Sequence, residues 1–117
     1  MITFRLSKDC GCRAVSKVSI TKVGVELASS LREGLRLIGW APPPNLPFII
    51  KPNICTDNDV TGAANVGVDF VKVMVDEILR EKGGSKVRIV ESDSGGKDVE
   101  NAFEKLGYRQ LEASYQA

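Results

Sequence analysis

Apolar and polar residues alternate between Lys17 and Val23, with Val18 and Ile20 on one face, and this predicts a strand. Ile2, Phe4 and Leu6 also alternate, so residues 1–15 read as a basic N-terminal extension or an extra edge strand. From Val25 to Ile38 the period changes. Ala28, Leu31, Leu35 and Ile38 recur at spacings of three and four, the mark of one helical face, and Gly39 supplies a stop. Trp40 is expected in the core, and Pro42-Pro43-Pro44 after it form a stiff connector, because proline cannot sit inside a helix. Phe48-Ile49-Ile50 is a continuous apolar run, as in a parallel strand covered on both faces, and Pro52 limits it. A second helix is predicted over Val66–Lys82. Gly67, Val71, Met74 and Ile78 mark its line, Phe70, Val75 and Leu79 widen the stripe, and Gly83-Gly84 provides a cap. Val87–Val90 reads as a third strand and Asp98–Leu106 as a third helix, ended by Gly107. Leu111–Tyr115 reads as a last short helix.

The resulting order, β-α-β-α-β-α-α, predicts an α/β fold: an open three-layer αβα arrangement around a small, mainly parallel sheet. With 117 residues, the expectation is one α/β domain over residues 16–117. The composition, 43% hydrophobic and 26% charged, is that of a folded chain and not a disordered one.

Charge and residue usage narrow the chemistry. A formal net charge of +1 speaks against nucleic-acid binding driven by phosphate neutralisation. The chain has no histidine, which excludes catalysis by serine–histidine or cysteine–histidine pairs and zinc sites built on cysteine and histidine. Cys10, Cys12 and Cys55 are an odd number without framework spacing, which fits a reducing compartment. They are also one thiol short of an all-cysteine metal site, so no iron–sulfur cluster is expected from this chain alone. The N-terminus lacks the apolar run of a signal peptide, and no stretch approaches the ~20 apolar residues of a membrane span. The expected location is cytoplasmic, with no membrane partner.

Ligands of open parallel sheets bind beyond the carboxyl ends of the strands. Two loops meet that condition, Lys51–Thr61 and Glu91–Lys97, and adjacent strands would bring them together. Both lead into helix N-termini, where free N–H groups attract anions. The candidate substrate-binding residues are Lys51, Asn53, Ser94, Gly95, Gly96 and Lys97, with the two glycines allowing close backbone approach. Gly96-Lys97 is not a Walker A loop, because Glu91 stands at its first-glycine position and Asp98 follows the lysine. No G-x-G-x-x-G is present either. Lys51 and Lys97 face Asp57, Asp59, Glu91, Asp93 and Asp98, a formal balance of −3 that would repel a bare phosphate. A hard divalent cation, magnesium or calcium, reverses that repulsion, and Asp57, Asp59 and Asp93 are its candidate ligands. The same acids are also ordinary turn and cap residues.

Several of these segments resemble a prokaryotic family, number three-six-two of the domains of unknown function. Ile49-Ile50-Lys51-Pro52-Asn53 is similar to its strand-end signature, and Thr61–Val75 to the helix that follows. Val90–Gly96 is similar to its "GDSPG"-like loop, with Glu91 in place of a glycine and no proline. Ala102–Tyr108 is similar to its "AFEKLGY" segment. The resemblance runs over residues 17–117 and implies the N-terminal portion of a longer domain. Relatives carrying a ferredoxin-like segment imply, as one alternative, a redox-linked protein working with an iron–sulfur partner. The leading expectation is an enzyme module acting on a small anionic ligand with a divalent metal at the carboxyl edge of the sheet. A non-catalytic binding or assembly module is the remaining alternative. The narrow sheet and the wide stripe on the second helix predict a homo-oligomer.

Overall fold

The computed structural model describes residues 2–5, 15–42, 47–58, 64–81, 86–93 and 98–115. It is α/β, with four strands, four helices and two separate two-stranded sheets among these residues. The chain divides into two units, Met1–Pro42 and Pro43–Ala117.

In the first unit, β1 (Ile2–Arg5) pairs antiparallel with β2 (Val15–Val18), Ile2 opposite Val18 and Arg5 opposite Val15. The alternation at Ile2 and Phe4 thus marks a strand. The strand predicted over Lys17–Val23 lies further upstream, and it joins β1 instead of the parallel sheet. The reason is visible in residues 21–24, which are tied to a helix by hydrogen bonds of the Thr21 and Ser30 side chains. Thr21 Oγ1 donates to Ser30 O at 3.2 Å. Ser30 Oγ donates to Lys22 O at 3.2 Å and accepts from Gly24 N at 3.1 Å. Ser30 belongs to α1 (Leu27–Ile38). Gly34, buried on α1, lets the preceding segment approach closely, since a Cβ there would stand 3.3 Å from Ser19 Oγ. Gly39 ends α1 at φ 68°, and Trp40 N donates back to Leu35 O at 2.9 Å, closing the last turn.

In the second unit, β3 (Phe48–Ile50) pairs parallel with β4 (Val87–Ile89), Phe48 opposite Val87 and Ile50 opposite Ile89. Phe48 N donates to Lys86 O and Val90 N to Ile50 O, extending the ladder at both ends. The crossover between them is α2 (Val68–Glu81), whose Val71, Val75 and Ile78 are buried. Two shorter helices follow, α3 (Val99–Lys105) and α4 (Tyr108–Ser114). Gly107, at φ 89°, makes the turn between them, so the final helix begins three residues before Leu111. Phe103 and Tyr108 pack across that turn with ring centroids 5.1 Å apart.

The core joins Ile54, Val71, Val75, Ala102, Tyr108 and Leu111, with Ile50, Val87 and Ile89 of the sheet packed against it. Strand alternation sends Ile49 and Arg88 to the opposite face, and Ile49 is 64% exposed. Among the described residues of this unit, the apolar run at Phe48–Ile50 is therefore covered on one face only. Phe70, expected in the α2 stripe, lies at its margin and is exposed, whereas Val71 and Val75 face the core. The Gly83-Gly84 cap lies outside the described residues.

Candidate functional site

β3 and β4 run parallel and in register, so the residues after Ile50 and Ile89 emerge side by side at one edge of the sheet. Lys51 and Glu91 meet there. Lys51 Nζ is 2.7 Å from Glu91 Oε1 across 40 positions of sequence. The pair is lopsided, because the Glu91 side chain is 4% exposed and that of Lys51 61%. The Glu91 carboxylate also accepts from Ser92 N at 2.8 Å. It lies close enough to Tyr108 that, together with the larger effect of burial, its charge pushes the phenol above its ordinary pKa. Lys51 is thus tied to Glu91 by one hydrogen bond, and its ammonium has two further N–H donors.

The loop after β3 is built on two asparagines. Asn53 Nδ2 donates to Ala64 O at 3.0 Å and to Cys55 Sγ at 3.3 Å, and Val66 N donates to Asn53 O at 2.8 Å. Asn65 Oδ1 accepts from Cys55 N at 2.7 Å and Thr56 N at 3.2 Å, and its Nδ2 donates to Thr56 O at 2.8 Å. A loop carrying this many backbone polar groups needs such partners, and asparagine side chains copy a backbone amide well. Asn53 is therefore a brace of this loop. Asn65 was not singled out by sequence reasoning; its only signal was an asparagine near the end of a polar loop before a helix. Ile54, between the two, is buried in the core and pins the loop to the helices. Cys55 is exposed and its thiol free.

The two described acids of the expected metal set are held by protein groups. Asp57 Oδ2 accepts from Asn101 Nδ2 at 2.7 Å and pairs with Lys105 Nζ at 2.9 Å, tying the loop to α3. The Lys105 hydrogen bond holds the Asp57 carboxyl below its ordinary value. Asp93 Oδ1 accepts from Val99 N at 2.8 Å. Asp59 lies outside the described residues, as do Ser94, Gly95, Gly96 and Lys97. Among the described residues, no three acidic or thiol side chains form a group suited to a metal ion.

The N-terminus of α3 differs from the expected anion cradle. Asp98 is the N-cap and accepts from Glu100 N and Asn101 N at 2.9 and 3.3 Å, while Asp93 takes Val99 N. The first three amides of the helix are thus bound by the chain's own carboxylates, which also offset the helix dipole. Of the candidate binding residues, Lys51 and Asn53 lie within the described residues, and Lys51 carries the charged group, paired with Glu91.

A cavity of about 600 Å³ lies elsewhere in this unit, along β4, lined by Val75, Leu79, Val87, Phe103, Leu111 and Tyr115 among others. None of Lys51, Asn53, Asp57 or Asp93 lines it. Among the described residues no helix is long and apolar enough to cross a membrane. No family model, no curated protein and no solved structure matches the chain.

Proposed function

We propose that the second unit binds a small anionic ligand at the carboxyl edge of the β3–β4 sheet, with Lys51 as the primary cation. The observation that carries this reading is the Lys51–Glu91 pair. A carboxylate that is nearly buried holds a lysine whose side chain is mostly exposed, at the place where parallel sheets present ligands. The hydrogen bonds that tie Asn53, Cys55 and Thr56 to Ala64 and Asn65 brace the chain that follows Lys51. A ligand carboxylate or phosphate oxygen would take the Lys51 donors that Glu91 leaves.

Metal assistance is a separate arm of the proposal. Magnesium or calcium held by Asp57 and Asp93, with Asp59, would share those carboxylates with Lys105, which pairs with Asp57 Oδ2, and with the Val99 amide, which bonds Asp93 Oδ1. The lysine arm needs no added group, and Lys105 on Asp57 together with the α3 amides on Asp93 and Asp98 offsets part of the negative balance of the two loops, so the lysine arm takes precedence.

Isothermal titration calorimetry with inorganic phosphate tests both arms. Binding by the wild-type chain that disappears in Lys51→Met, at unchanged circular dichroism, supports the lysine arm. Binding that needs magnesium and is lost in Asp57→Asn supports the metal arm. Equal binding by wild type and Lys51→Met, or none by either, overturns the lysine arm.

A further inference from the structure

We draw no further inference here: the strongest candidate, the apolar groove of about 600 Å³ along β4 between α2 and α4, is an unpartnered face, and nothing in the structure shows what covers it.

Discussion

Glu91 Oε1 accepts a hydrogen bond from Lys51 Nζ at 2.7 Å, and the two residues leave adjacent parallel strands at the same edge. The carboxylate is the buried partner, so the two deletions are not equivalent. Removing the lysine takes a charged partner from a group shielded from water, at a cost of about 1–2 kcal/mol. Replacing Glu91 by glutamine leaves a lysine whose side chain is mostly exposed and keeps an amide oxygen for Ser92 N, so it costs less than about 1 kcal/mol. Urea unfolding of Lys51→Met and Glu91→Gln should show this order, and the reverse order would mean that the pair is not seated as described.

Asp98 caps α3 by accepting from Glu100 N and Asn101 N. Asp98→Ala should destabilise the second unit by about 1 kcal/mol, whereas Asp98→Asn should retain most of the cap. Thermal unfolding of the two variants checks the difference.

The Asp57 carboxyl lies below its ordinary value of 3.8, mainly through the hydrogen bond from Lys105. A carboxylate depressed in the folded state contributes stability above its unfolded pKa and loses it as pH falls through the folded value. The Asp57–Lys105 link should accordingly be complete above about pH 4 and weaken below it. In an NMR titration of the carboxyl carbons, Lys105→Met should move the Asp57 midpoint upward. An unmoved midpoint would show that the link does not form in solution.

Gly107 turns the chain between α3 and α4 at φ 89°. Gly107→Ala should cost about 1 kcal/mol because a Cβ strains the left-handed backbone, and Gly107→Asn should cost less. Chemical denaturation of both variants measures the difference.

Much of the second unit was legible in the sequence because its signals are local. The spacing of Val71, Val75 and Ile78 predicts α2, and the aspartate before Val99 predicts the start of α3. Phe48-Ile49-Ile50 and Val87–Val90 predict the two parallel strands, although the exposure of Ile49 shows that an apolar run alone does not reveal whether both faces are covered. The first unit was harder to read. Residues 19–23 have strand periodicity, yet Thr21 and Lys22 bond to Ser30 of α1, a competition between side chain and ladder that no period records. At the candidate site, the sequence pointed to Lys51 through the placement of a lysine at the end of an apolar strand. Its partner Glu91 is 40 positions away, and only the register of β3 on β4 brings the two together. Likewise the engagement of Asp57 by Lys105 depends on how α3 packs, which residue types cannot disclose.

The central claim is that Lys51 receives a small anion at the carboxyl edge. A ¹H–¹⁵N NMR titration of the wild-type chain with inorganic phosphate, repeated on Lys51→Met, tests it most directly. The account predicts saturable shifts concentrated on the amides of Lys51, Asn53, Glu91 and Ser92, and their loss in the variant. Shifts that persist unchanged in Lys51→Met, or that fall on residues remote from this edge, would contradict it.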